Sequence, residues 1–207
     1  MTPLPQRPRL GFFVSHRGSN MRAIVSACQT GALAADPALL ISNNRSSAAL
    51  SWAAENGLPH VHLSPKSSGS EESLDQAHLD KLQEAGADLI ILAGYMRKIG
   101  PKVLSAFSNR ILNIHPALLP KYGGQGMYGH HVHEAVVANR ESESGVTVHL
   151  VDGEYDTGPI VAQATVPVLP ADTPDDVAAR VLVQEHLFFS ETLIRIVSGE
   201  IDLDALG

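Results

Sequence analysis

The sequence predicts an α/β protein: a single domain with a mostly parallel, twisted sheet and helices on both faces. Three observations carry this. Short apolar or β-branched runs alternate with longer segments of helical period, the pattern of successive βαβ units. The chain has 207 residues, enough for one such core and short for two. Its 44% hydrophobic and 18% charged content is that of a globular chain. The expected domain spans 1–207, with 1–8 as a flexible N-terminal extension.

Strands are expected near Leu10–Ser15, Ala38–Ser42, His60–Leu63, Asp88–Ala93, Ile111–His115, Gly145–Val151 and Ile160–Val168. Helical period places helices near Asn20–Gln29, Ser47–Asn56, Leu74–Ala85, Pro101–Phe107 and His130–Asn139. A last long helix starts at Pro174, with Thr173 as N-cap and Asp175 and Asp176 in its first turn, and runs to Val197 before Gly199. The segment "SPKSSGSEES", 64–73, has no periodicity and reads as a mobile surface loop.

The net charge of −7, with no Lys/Arg run, argues against a polyanionic partner such as nucleic acid. A single cysteine, Cys28, excludes an intrachain disulfide and any CxxC pair, which suits a reducing cytoplasm. Nowhere do ~18 apolar residues run together, so a soluble, unexported, cytoplasmic protein is expected.

Ligands of open parallel sheets collect outside the carboxyl ends of the strands. The first strand ends in "SHRGSN", where the amides of Gly18, Ser19 and Asn20 at a helix start favour a small anion; an ordinary capped turn is the alternative. GxGxxG and P-loop patterns are absent, which fits a monophosphate better than a dinucleotide. The "GYMRKI" end of the fourth strand offers backbone groups and the apolar Met96 and Ile99 to a flat heterocycle, or is a plain connection.

In "ILNIHPALLPKYGG", strand period puts Asn113 and His115 on one side, and Pro116 ends the ladder so that both project near the sheet's edge. An amide donor beside an imidazole suits an oxyanion developing at a carbonyl; the other reading is a pair satisfying the following turn. Thr147 and His149 share a face of the next strand, ahead of the acid-bearing loop "DGEYDTGP". An Asp of that loop fixed beside a catalytic His would raise the imidazole pKa; the other reading of Asp152, Glu154 and Asp156 is solvated turn acids. The clustered His130, His131 and His133 lack HExxH spacing, and no metal is expected.

Taken together and in order, "HRGSN", "LAGYMR", "NIHPALLPKYGG", "GVTVHLVDGEYDTGPI" and "RVLVQEH" resemble the phosphoribosylglycinamide formyltransferase family of purine biosynthesis, over nearly the whole chain. The resemblance implies a Rossmann-like formyltransferase fold. It also implies transfer of a formyl group from the co-substrate 10-formyltetrahydrofolate to the amine of glycinamide ribonucleotide, without a metal. By that match Asn113, His115 and Asp156 are the catalytic set. Asn113 and His115 stabilise the oxyanion, while Asp156 supports His115 and helps remove the amine proton through water. Gly18, Ser19, Asn20 and Glu185 hold the ribonucleotide. Met96, Arg97, Lys98, Ile99, Asn113, Asp152, Gly153, Glu154, Tyr155 and Asp156 hold the folate.

The chain departs from the family pattern in two places. Leu182 stands where relatives often carry a polar residue near the phosphate, leaving Arg17 or Lys121 to supply charge. Glu71 and Glu72 stand where some relatives have an arginine reaching the folate tail, leaving Lys66 as a substitute. The rival readings are a 10-formyltetrahydrofolate hydrolase and a non-catalytic nucleotide-binding module. Partners are expected to be the two small-molecule substrates, with no nucleic acid and no membrane, in a monomer or homodimer.

Overall fold

The computed structural model describes residues 4–206. Its centre is one seven-stranded sheet in the order β3-β2-β1-β4-β5-β6-β7. The strands are β1 (Arg9–Val14), β2 (Asp36–Ser42), β3 (His60–His62), β4 (Leu89–Leu92), β5 (Ile111–His115), β6 (Glu143–Leu150) and β7 (Ile160–Pro167). The first five are parallel, as expected, whereas β6 runs antiparallel to both β5 and β7. Between them lie α1 (Ser19–Gln29), α2 (Ala48–Glu55), α3 (Pro65–Ser68), α4 (Glu71–Glu84), α5 (Pro101–Ala106), α6 (His130–Ala138) and α7 (Pro174–Val197).

Period-two alternation sorts the strand side chains into two cores. Leu10, Phe12 and Val14 of β1 and Leu89 and Ile91 of β4 face one side, where α1, α2, α6 and α7 supply Met21, Ile24, Ala53, Val136, Phe189 and Leu193. Phe13, Ile90 and Leu92 face the other, against Leu82 of α4 and Val103 of α5. Fully burying one such side chain contributes ~1.5–3 kcal/mol, so these two layers fix the sheet and its strand ends.

The chain leaves β1 in one direction for β2 and β3 and returns on its other side for β4 and β5. That reversal opens a crevice beyond the carboxyl ends of β1 and β4, the place where open α/β sheets bind ligands.

Three expectations change. Residues 64–73 are not a loop: Ser64 closes a capping box on Ser67 at the start of α3, and the Ser70 side chain accepts from the Ser73 amide to start α4. Serines that lack a period were capping two helices in close succession. Element bounds also shift: α4 starts early at Glu71 and β6 at Glu143, whereas β4, α2, α5 and α6 are shorter than predicted by one or two residues. Finally, β5 lies inside the sheet, so Asn113 and His115 stand at its carboxyl rim and not at a sheet edge. Within the expected flexible extension, residues 1–3 lie outside the described residues; Leu4 packs on the first core and Arg7 pairs with Asp36 at 2.7 Å.

Candidate active site

The crevice is a cleft of about 1160 Å³. Its lining takes in the predicted set: Gly18, Ser19, Asn20 and Glu185 at one end, Met96–Ile99 and Asp152–Asp156 at the other, Asn113 and His115 between.

At the first end, Gly18 is the residue before α1 and has φ 68, a left-handed backbone that an L side chain takes at a cost. A Cβ there would also stand 3.0 Å from Ala49 Cβ. The turn leaves the first amides of α1 without intrahelical partners, where the helix dipole favours negative charge. Asn20 is buried, and its Nδ2 donates to Glu185 Oε2 at 2.9 Å, while its Oδ1 has no partner. Burial raises the Glu185 carboxyl to about 7 against the opposing pull of the Asn20 amide. Arg17 lines the cleft; Lys121 is turned to Glu141 at 3.0 Å, and neither it nor Leu182 lines it.

At the second end two lips face each other. The β4 lip is tied back by its Met96 amide, which donates to Ser15 Oγ at 2.8 Å, and Ser15 in turn donates to Asn43 at 2.7 Å. Below it the buried Asp75 of α4 accepts from the amides of Lys102 and Val103 at 2.8 and 3.3 Å, capping α5 from another helix. Ile99 belongs to the second core, leaving Met96 as the exposed apolar face. The 151–159 loop closes over this lip through Lys98, which pairs with Glu154 at 2.8 Å and lies 5.2 Å from the Tyr155 ring centroid. Arg97 reaches Glu71 at 2.5 Å, so the basic residue beside Glu71 comes from the lip itself, while Lys66 stays off the lining.

The middle is built by antiparallel register. Asn113 pairs with His149 and His115 with Thr147 across β5 and β6. His149 Nδ1 lies 2.8 Å from the Leu150 carbonyl, which can only accept, so Nδ1 carries the proton and Nε2 accepts from Asn113 Nδ2 at 3.0 Å. That leaves the second Nδ2 proton of Asn113 to donate elsewhere. His115 Nε2 donates to the Tyr122 carbonyl at 2.7 Å, and its Nδ1 faces Asp156 Oδ2 at 3.5 Å. The other oxygen of Asp156 is 3.5 Å from His149 Nε2, and the Gly124 amide donates to Oδ2 at 3.0 Å. The distances from Asp156 to both rings exceed an ordinary hydrogen bond, which leaves room for a proton-carrying group to complete the contact.

Burial would raise the Asp156 carboxyl, but the positive charge that His115 can carry and the Gly124 amide hold it below its usual range. The imidazole of His115 is also held low. Here burial outweighs the upward pull of Asp156 and of the Tyr122 carbonyl; the aspartate does raise the ring, as expected, but the net shift is downward.

A predicted catalytic set thus comes together from β5 and the distant loop that carries Asp156. The comparisons with known proteins identify its lineage. A family model described as "Formyl transferase" matches residues 8–193. This chain belongs to the formyl transferase family.

Among formyl transferases, the chloroplastic phosphoribosylglycinamide formyltransferase of Arabidopsis thaliana is 42% identical over 190 residues, covering 91% of this chain and 65% of that protein. The Escherichia coli phosphoribosylglycinamide formyltransferase is 34% identical, covering 92% of this chain and 87% of that protein. The chain therefore spans under two thirds of the plant relative and most of the bacterial one. A glycinamide ribonucleotide transformylase from Symbiobacterium toebii superposes with a TM-score of 0.87 at 36% identity, over 94% of this chain and 89% of that one. A formyltetrahydrofolate deformylase from Pseudomonas syringae, at 22% identity, shares the formyl transferase fold.

Sequence reasoning missed the groups that hold the set in place. His149 was noticed on its strand face, but its link to Asn113 and Asp156 depends on the β5–β6 register. The Tyr122 carbonyl and Gly124 amide carry no side-chain signal at all. Among the described residues, no three His, Cys, Asp or Glu side chains are grouped to hold a metal ion. His130 and His131 pair with Glu134, and His133 is buried apart from them.

Proposed function

We propose that this protein transfers the formyl group of 10-formyltetrahydrofolate to the amine of glycinamide ribonucleotide, by direct acyl transfer through a tetrahedral intermediate. The observation that carries the reading is the Asn113–His149–Asp156–His115 network lying midway between an anion corner and a flat, partly apolar slot. The ribonucleotide phosphate occupies the α1 turn at Gly18–Asn20, with Glu185 on its ribose side. The heterocycle of the folate lies between Met96–Ile99 and Asp152–Asp156, where Leu92, Val151 and Tyr155 add apolar wall.

In the reaction the substrate amine attacks the formyl carbon, and the carbonyl oxygen becomes an oxyanion. The free Nδ2 proton of Asn113 stabilises that charge, and the amine proton passes through water and Asp156 to Nδ1 of His115, whose ring then stabilises the oxyanion and returns the proton to the leaving nitrogen. Collapse breaks the bond to the folate nitrogen, which takes up a proton. The products are a formamide and the free folate amine, so protons balance without an enzyme-bound acyl group. Much of the rate comes from holding the two substrates in register across one cleft.

The whole chain is read as one formyltransferase domain, working in the cytoplasm as a monomer or homodimer. No helix of the described residues is long and apolar enough to cross a membrane.

The test is a spectroscopic transfer assay with a 10-formylfolate donor, with and without glycinamide ribonucleotide. Turnover only with the ribonucleotide supports the transferase; turnover without it means a hydrolase, and none in either case means a binding module. In the same assay His115→Ala and Asp156→Ala should each lower kcat by about a hundredfold or more while ribonucleotide binding persists. An equal loss of binding would refute the catalytic roles.

A further inference from the structure

Tyr122 has φ 58, a left-handed backbone that costs a bulky residue on the order of 1–3 kcal/mol and persists only where its surroundings impose it. Its side chain is anchored at the hydroxyl. The phenol donates to Glu141 Oε1 at 2.8 Å and accepts from Asn139 Nδ2 at 3.0 Å, which clamps the ring to the far end of α6. Glu141 is itself held by Lys121 at 3.0 Å.

The other side of the same turn grips the reacting pair. The Tyr122 carbonyl accepts from His115 Nε2, and two residues on the Gly124 amide donates to Asp156. Gly123 between them leaves no room for a side chain, since a Cβ would stand 2.5 Å from Leu119 Cδ2 and 3.2 Å from Asp156 Cβ.

The neutral His115 ring has one proton for two claimants. Asp156 beside Nδ1 favours protonation there, whereas a carbonyl 2.7 Å from Nε2 demands it on the other nitrogen. The position of one backbone carbonyl therefore decides the tautomer. We propose that Tyr122 is a positioning residue for His115: its clamped hydroxyl holds the carbonyl against Nε2 and so keeps Nδ1 as the nitrogen that takes and gives the proton toward Asp156. The proposal rests on the reading of His115 and Asp156 as the working pair. The other groups facing His115 are His149 from β6 and His133 from α6, and neither contacts Nε2 in place of the carbonyl.

The test compares the full-length protein with Tyr122→Phe, Glu141→Ala and Glu141→Gln by nitrogen-15 NMR of the histidine side chains, titrated without substrate, and by formyl-transfer kinetics. The wild type should carry its neutral His115 proton on Nε2. In Tyr122→Phe and Glu141→Ala the Nδ1-protonated form should gain population and the His115 midpoint should move to lower pH, because a contact that favours the charged ring is weakened. Their kcat should fall about tenfold with the ribonucleotide KM within about twofold. Glu141→Gln, which keeps an accepting oxygen, should stay near wild type. A wild-type tautomer and midpoint in both Tyr122→Phe and Glu141→Ala would overturn the proposal, and if Tyr122→Phe does not fold, Glu141→Ala decides on the same criteria. An altered tautomer with unchanged transfer would sustain the positioning role and overturn the catalytic reading of His115.

Discussion

Asp156 sits in a left-handed backbone, φ 59, with its two oxygens 3.5 Å from His115 and His149. Such a conformation in a non-glycine residue is bearable for aspartate, and here it is locked by the Gly124 amide. The substitution Asp156→Asn keeps an oxygen for that amide and removes only the charge. Steady-state kinetics should therefore show kcat reduced by about a hundredfold, with the ribonucleotide KM little changed. A loss confined to KM would mean that Asp156 binds substrate and does not assist chemistry. At this scale the sequence was informative about residue types, because amide, imidazole and carboxylate at strand ends have few purely structural uses. It was silent on which nitrogen of each ring is protonated, since backbone carbonyls of Tyr122 and Leu150 decide that.

Helix ends set the cleft's walls. Asp75 caps α5 from another helix, and at the N-terminal Gly100 a Cβ would fall 2.2 Å from the Asp75 carboxyl carbon. Asp75→Ala would leave two amides without their acceptor, and thermal or urea unfolding should register about 1–3 kcal/mol of lost stability. The Met96–Ile99 lip precedes that helix directly, so the folate KM should rise more than the ribonucleotide KM; equal rises would show that the lip is held by other contacts. For α7, the Thr173–Asp176 capping box predicts about 1 kcal/mol of destabilisation in Thr173→Ala, read from the urea midpoint. That cap and its first-turn acids were legible in the sequence. The Asp75 cap was not, because its donor and acceptor lie on different helices.

The molecule as a whole carries buried histidines whose titration opposes folding. Burial pushes His78 and His133 from 6.5 to about 4, so at mildly acid pH the unfolded chain binds a proton at each that the folded chain does not. Glu185 acts in the other direction, binding its proton in the folded state up to about 7. Burial lowers His115 and His186 as well, so four histidines against one carboxyl leave the unfolded state with the excess. Stability should accordingly rise with pH between about 4.5 and 6.5, by about 1.4 kcal/mol per pH unit for each proton of that excess. Thermal denaturation at constant ionic strength checks this, and His78→Leu should flatten the curve; an unchanged slope would mean that His78 is not kept neutral by the fold.

Local sequence determined the alternation of strands and helices, the strand-end motifs and the residue types of the site, because period, caps and turn chemistry act over a few neighbours. It determined the family as well, since five motifs keep their order along the chain. The tertiary structure alone decided that β6 runs antiparallel to β5, which sets His149 against Asn113. It also decided that burial outweighs Asp156 at the His115 ring, and that the 122–124 turn holds both. Each of these is a through-space relation between groups distant in the chain, and neither strand register nor desolvation is written in any short stretch of residues.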